Sequence, residues 1–272
     1  MVIDAHHHLQ KDPDYAKRLA EQSMRLKIDK TCVFGAGRRS LEYGMAANKE
    51  VIKAAEMFPD LFIPFACFDL GYDMPDKIKE FKRDGFQGVK FINPAKNYDD
   101  KDFYPVYAAA EEEKLLVIFH LGIVSRSPVD HLYDVNNERH RAIYLDTIAR
   151  AFPNLTIIGA HLGNPWYEEA AMAARWNPNL YFDLSGSTLK CKSPEFLGTL
   201  LWWSSESRYK DLLGRGAWEK IVFGSDVGYQ EIDDVMNDYS RTMNALNVPQ
   251  EIQAKVFGGT MAQLLGIGEI QK

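Results

Sequence analysis

The chain has 272 residues, 46% of them hydrophobic and 26% charged, with a formal net charge of −6. That composition suits a globular protein with a full apolar core, and its acidic balance excludes the basic stripe that a nucleic-acid surface needs. No stretch approaches the ~18 continuous apolar residues of a membrane span, and the N-terminus lacks the basic start and long apolar run of a signal peptide.

The first predicted strand, Val2–His6, runs into the densest polar cluster of the chain, Asp4-Ala5-His6-His7-His8. A regular strand alternates its side chains, so Asp4, His6 and His8 are expected on one face and Ile3, Ala5 and His7 on the other. Two imidazoles on one face can grip a single metal ion, with a carboxylate behind to orient them. A purification-tag remnant would also supply adjacent histidines, but only three run together here, inside an apolar segment.

A helix is expected over Tyr15–Leu26, then a strand over Thr31–Gly35 that leads to the basic pair Arg38-Arg39. Helix Glu42–Met57, strand Phe62–Phe68 and helix Asp76–Arg83 follow, punctuated by Pro, Gly and Asp. Strand Gly88–Ile92 carries Lys90; after helix Phe103–Glu113, strand Leu115–His120 ends in a histidine and is followed by Arg126. Helix Arg139–Ala151 leads to strand Thr156–His161, which ends in a second histidine followed by Leu-Gly-Asn164. Helix Trp166–Trp176, strand Leu180–Leu184 and helix Pro194–Leu212 precede strand Ile221–Ser225, which runs into Asp226 and Tyr229. The segment Ile232–Ile267 is expected to form closing helices. Cys32 and Cys67 sit in apolar runs as buried free thiols do, and Cys191 stands apart; a reducing, cytoplasmic setting without disulfides is expected.

Strict alternation of strand and helix implies parallel strands joined by right-handed crossovers. Eight such repeats predict an α/β protein, a (β/α)8 TIM barrel forming a single domain over residues 1–272. Neither a Gly-rich dinucleotide fingerprint nor a phosphate-cradling loop occurs. His6, His8, His120, His161 and Asp226 all fall at C-terminal strand ends, where barrel enzymes build their sites. Buried together without a cation they would be crowded and poorly satisfied; a divalent metal resolves the conflict. His7 is expected to face away, with His131 and His140 in a loop and a helix.

These motifs together resemble the amidohydrolase superfamily, and within it the amidohydrolase-related group that includes aminocarboxymuconate-semialdehyde decarboxylase. The resemblance rests on Asp4-Ala5-His6-His7-His8, Gly88-Val89-Lys90, His120, His161-Leu162-Gly163 and Gly224-Ser225-Asp226, and it spans the chain in the right order. It implies that His6, His8, His120 and Asp226 hold one divalent ion, zinc first and manganese as the alternative, with His161 beside the metal-bound water. In binuclear members the strand-four lysine is carbamylated and bridges two metals; in the amidohydrolase-related group one metal is usual, which leaves Lys90 to contact substrate or a site carboxylate. The family often closes with Asn-Ala-x-Arg-Leu, where this chain has Thr260-Met261-Ala262-Gln263-Leu264, and Thr260 is expected to cap that helix. His-Leu-Gly-Asn replaces the commoner His-x-Gly-Gly, which frees Asn164 for substrate.

A metal at such a site brings the pKa of bound water towards ~7. The main expectation is therefore a hydrolase acting on an ester, lactone or amide of a small organic molecule, with Asp226 and His161 as catalytic groups. The alternative is non-oxidative decarboxylation of a small aromatic or dienoic acid, for which Arg38, Arg39 and Arg126 are candidate cationic contacts. A barrel kept only as a scaffold would have lost site residues, and none is missing. Among aromatic residues, Trp166 and Tyr229 are the better substrate contacts because each follows a site motif. A small-molecule substrate is expected, with neither nucleic acid nor membrane as partner, and a homo-oligomer is left open.

Overall fold

A computed structural model describes residues 1–267. Eight strands lie in the sheet in chain order, every neighbouring pair parallel. They are β1 (Ile3–His8), β2 (Lys30–Phe34), β3 (Phe62–Phe68), β4 (Gly88–Phe91), β5 (Leu116–Phe119), β6 (Ile157–Gly159), β7 (Leu180–Asp183) and β8 (Ile221–Val222). The sheet closes on itself: Ala5 N donates to Phe223 O and Asp226 N to His6 O, both at 2.8 Å. This is the expected (β/α)8 barrel, and the expected closing helices appear at Ile232–Ala245, Gln250–Ala254 and Thr260–Leu265.

Parallel strands covered on both sides must be apolar on both faces, and these are. Ile3, Ala5, Cys32, Phe34, Phe65, Ile118, Ile158 and Val222 fill the barrel interior, with Met261 of the last helix packed among them. Val33, Val89, Val117, Phe119, Ile157 and Phe182 point the other way, into the layer shared with the surrounding helices. Cys32 and Cys67 are buried thiols, as expected.

Among the described residues, the one irregularity in the strand pairing decides the site. Asp4 pairs with Thr31 and His7 with Val33, so three steps along β1 match two along β2 and one residue is extra. Such a bulge changes the phase of a strand. Asp4 and His7 turn outward together and share Ser225 Oγ, at 2.6 and 3.0 Å. Ile3 and Ala5 face inward with the core, and beyond the bulge so do His6 and His8, whose rings pack against Phe34. The alternation expected from the sequence, with Asp4 on the histidine face, is therefore wrong for Asp4 and for Ile3 and Ala5.

Three further expectations are corrected. The helix expected over Glu42–Met57 begins at Asn48, preceded by a short helix at Arg38–Leu41. Gly44 adopts φ +98°, and the Asn48 amide clasps the Cys67 backbone through two bonds of 2.8 and 2.9 Å. The helix expected over Pro194–Leu212 stops at Leu200. Thr260 does not cap the last helix: it is that helix's first residue, continuing from a π-helical turn at Lys255–Gly259.

Candidate metal centre

His6, His8 and Asp226 each offer a ligand atom within 4.8 Å of the other two. His6 is almost wholly enclosed, with 1% of its side chain exposed, whereas Asp226 keeps 24%, so the group opens towards the barrel mouth through the aspartate. One Asp226 oxygen, Oδ1, lies 3.6 Å from His6 Nε2 and 3.9 Å from His8 Nε2; the other, Oδ2, lies 3.6 Å from His161 Nε2. The carboxylate thus stands between a pair of potential ligands and a third imidazole.

Backbone geometry fixes this arrangement. Asp226 holds φ +47° and His161 φ +61°, left-handed conformations that cost non-glycine residues energy and concentrate at functional sites. The bond from Asp226 N to His6 O ties the first of them to β1. Gly224 makes the close approach feasible, since a Cβ there would meet His6 Cβ at 2.9 Å and Asp183 Cβ at 3.2 Å.

Hydrogen bonds assign the tautomers. His6 Nδ1 lies 2.8 Å from Asp183 Oδ2, so it carries the proton and leaves the Nε2 lone pair facing the centre. Ser185 Oγ donates to Asp183 Oδ1 at 2.5 Å, so towards His161 Nδ1, 2.9 Å away, it can act only as acceptor. His161 Nε2 is therefore also unprotonated and directed at Asp226. Asp183 accepts in addition from the backbone N–H of His161 and of Ser185. Burial opposes its negative charge, but its pairing with and hydrogen bond from His6, with His161 and Ser185, hold its carboxyl well below the usual carboxylate range.

The sequence reading passed over Asp183, although it ends a strand just as His120 and His161 end theirs, and the same strand-end rule would have found it. Burial likewise opposes ionisation of Asp226, yet His6, His161, His8 and Lys90 keep its carboxyl below the ordinary value. Burial pushes His8, His120 and His161 down, favouring the neutral imidazoles a metal requires.

His120 lies beside the triplet rather than within its 4.8 Å span; its ring stacks edge-on at 5.0 Å from that of His161. Its Nε2 is buried without a hydrogen-bond partner, as is His8 Nδ1. Orphaned imidazole nitrogens, two inward Nε2 lone pairs and a carboxylate form a donor set of the kind that zinc and its neighbours take. Lys90 is fully buried, its Nζ 2.8 Å from His6 Nε2 and 5.3 Å above the Phe34 ring, and burial brings it down to about 8. A metal on His6 would have to displace that ammonium from the same lone pair.

A cavity of about 150 Å³ opens above the triplet, lined by His8, His120, Asp226, Ile92, Val124 and Arg39 among others. Of the basic pair, it is Arg39 that reaches it. Arg38 is exposed, its guanidinium 4.4 Å above the Tyr72 ring, and Arg126 is exposed as well. Trp166 lines a different cavity with Pro165 and Phe196, Tyr229 packs edge-on against Tyr15, and Asn164 is half-buried in the turn after His161. The three remaining histidines stand apart from the triplet. His7 binds Ser225 and Tyr15, His140 accepts from Asn93 N at 3.1 Å, and both His131 and His140 lie in 3-10 turns rather than in a loop and a helix. A larger cavity of about 430 Å³, lined by Trp202, Trp203 and Trp218, contains none of the strand-end histidines.

An amidohydrolase family model matches residues 3–267. The chain belongs to the amidohydrolase family. Among curated proteins none matches the sequence significantly. Solved structures share its architecture at low identity. A 5-carboxyvanillate decarboxylase from Sphingomonas paucimobilis is 15% identical over 98% of this chain and 99% of its own, with a TM-score of 0.62. A dihydroorotase from Saccharomyces cerevisiae is 15% identical over 99% of this chain and 85% of its own, with a TM-score of 0.61. A 5-carboxyvanillate decarboxylase from Novosphingobium aromaticivorans, complexed with manganese and a nitrobenzoic acid, is 16% identical over 92% of this chain and 79% of its own, at 0.56. At these identities the likeness establishes the fold, and amidohydrolase barrels carry differently named activities. Among the described residues, no helix is long and apolar enough to cross a membrane.

Proposed function

We propose that this amidohydrolase is a metal-dependent non-oxidative decarboxylase of a small aromatic or dienoic carboxylic acid. The observation that carries this reading is the pair of buried cations at the site: Lys90 against His6, and Arg39 in the wall of the cavity above the triplet. Arg39 is paired with Asp130 at 2.6 Å, but among the described residues Lys90 has no carboxylate in ion-pair contact, and such a buried ammonium beside a mouth of this size makes sense where the incoming molecule is an anion. The resemblance to the amidohydrolase-related group, which includes aminocarboxymuconate-semialdehyde decarboxylase, and the fold shared with two carboxyvanillate decarboxylases support the same reading.

His6, His8, His120 and Asp226 would hold one zinc or manganese ion. Such an ion supplies Lewis acidity that fixes and polarises the substrate's oxygens. His161 Nε2, in its Nδ1–H tautomer, takes up a proton and delivers it to the ring carbon that bears the carboxylate. The C–C bonding pair then stays with that carbon while the carboxylate departs as carbon dioxide. One proton is consumed per turnover and no water. Asp226 Oδ2, 3.6 Å away, steadies the imidazolium before transfer. Lys90 and Arg39 draw the acid in and orient it.

Hydrolysis of an ester, lactone or amide is the second reading, favoured by the Asp226–His161 pair, which is equally suited to deprotonating a water. Incubating zinc- or manganese-loaded protein in D2O with hydroxybenzoic acids and, in parallel, with small lactones and amides separates the two. Decarboxylation releases carbon dioxide and leaves deuterium on the vacated carbon. Products that together contain one added water and no carbon dioxide would replace this reading with the second.

A further inference from the structure

The helix Tyr167–Trp176 has its side-chain sizes reversed. Its buried face is Ala170, Ala171, Ala173 and Ala174 beside Tyr167, whereas its other two large apolar residues, Met172 and Trp176, are exposed. Four residues apart, these two share one face of the helix. A helix apolar on two faces needs a second partner.

The helix Pro194–Leu200 and the connection after it extend that outer face. Met172, Phe196 and Trp202 line one shallow hollow. The Trp202 ring stands edge-on at 5.2 Å from that of Tyr209, and the Arg175 guanidinium lies 5.2 Å from the Trp202 ring and 4.8 Å from that of Trp176. Met172, Trp176, Phe196, Trp202 and Tyr209 each expose 38–47% of their surface, together roughly 400 Å² at about 200 Å² per large side chain. An interface of standard size buries ~800 Å² per partner, of which a little over half, ~450 Å², is apolar. The patch supplies that apolar share.

Its charges say which partner. Glu168 lines the hollow, Glu206 shares a second hollow with Trp202, Lys192 Nζ lies 5.0 Å from the Phe196 ring, and Arg175 sits between the tryptophans. Among the described residues none of these four is in an ion pair, although nearby Arg141 pairs with Glu138 and Glu169. Two anions and two cations complement each other when a two-fold axis sets the patch against a copy of itself; a uniformly acidic or basic partner would meet like charge. We propose that this flank of the barrel is an isologous dimer interface and that its occupant is a second copy of the chain. The hollow shares no residue with the cavity above the triplet, so the interface lies apart from the metal centre.

Sedimentation velocity across a micromolar concentration series tests this. Wild type is expected to sediment as a dimer. Trp202→Glu and Met172→Glu, on separate elements, each place a buried like-charge pair in the interface and are expected to raise the dimer Kd at least about thirtyfold, the loss of one interface hot spot. Met74→Glu, at an apolar residue 75% exposed on the connection after β3, is expected to leave the dimer intact. Far-UV circular dichroism checks that each variant is folded; should one patch variant not fold, the other decides. A monomeric wild type, a dimer that survives the patch substitutions, equal weakening by Met74→Glu, or open-ended assemblies in place of a dimer would overturn the proposal.

Discussion

Each end of the barrel buries a lysine, and the two are satisfied in opposite ways. Lys220, just before β8, donates to Asn177 O and Pro178 O at 2.9 Å each, lies 4.4 Å above the Tyr181 ring and has Asp211 at 4.0 Å. Arg215 encloses the same corner through Asp211, Tyr181 OH and Pro178 O. Every partner there is contributed by the fold. Lys90, at the opposite end, rests on a histidine lone pair that a metal would claim, amid orphaned atoms of His8, Asn93 and His120. A closed polar network supports a structure; an open one awaits a ligand. The contrast separates function from stability within one chain.

The largest expected effect lies at the open end. Asp226→Asn keeps the shape but removes the carboxylate shared by the ligand pair and His161, and a loss of at least ~100-fold in kcat is expected from the missing proton-transfer partner. Melting of the metal-free variant should stay within a few degrees of wild type. A large fall in melting temperature there would erase the contrast between the two ends.

Next comes the support behind the ligands. Asp183→Asn leaves His6 without an anionic partner, and metal affinity is expected to fall ~10–100-fold, as for other carboxylates behind ligating histidines. Metal content after dialysis against a graded chelator reads this directly. Unchanged retention would mean that the Asp183 bond does not orient His6.

The smallest effect is expected at the closed end and should spare activity. Lys220→Met removes two hydrogen bonds from buried carbonyls, Asn177 O keeping only Leu180 N and Pro178 O only Arg215, at a cost of ~1–3 kcal/mol. Burial brings Lys220 down to about 6, whereas in the unfolded chain it titrates near ~10.4. Between those values the unfolded state binds the extra proton, so this group makes stability rise with pH, by up to ~1.4 kcal/mol per unit. The melting temperature of wild type should therefore climb more steeply than that of Lys220→Met between pH 6 and about 9. Equal slopes would show that Lys220 keeps its proton throughout.

Much of the architecture was legible in the sequence because it depends on local pattern. Short apolar runs alternating with amphipathic stretches forecast all eight strands and their order. Of the four ligands expected from strand ends, His6, His8 and Asp226 form the triplet and His120 stands beside it. What escaped depends on three-dimensional detail. Nothing in Asp4-Ala5-His6-His7-His8 announces a bulge, which arises where β1 must pair with β2 while its histidines turn inward. Arg38 and Arg39 are equivalent as letters, and only the short helix at Arg38–Leu41 decides which reaches the cavity. The helix expected from Glu42 is cut short because Asn48 is engaged by the distant Cys67 backbone, a tertiary contact that outweighs propensity.

The contacts among Asp4, His6, Ser225 and Asp226 also constrain how the molecule is made. The bond from Ser225 N to Asp4 Oδ1 joins residues 221 positions apart, the first strand to the last. Contacts of such separation repay their loop-closure entropy only late in folding. During synthesis, His6 and His8 emerge first and Asp226 follows only when most of the chain has been made. A nascent chain therefore exposes the two histidines long before it can complete the triplet, and selective metal capture must wait for the barrel to close.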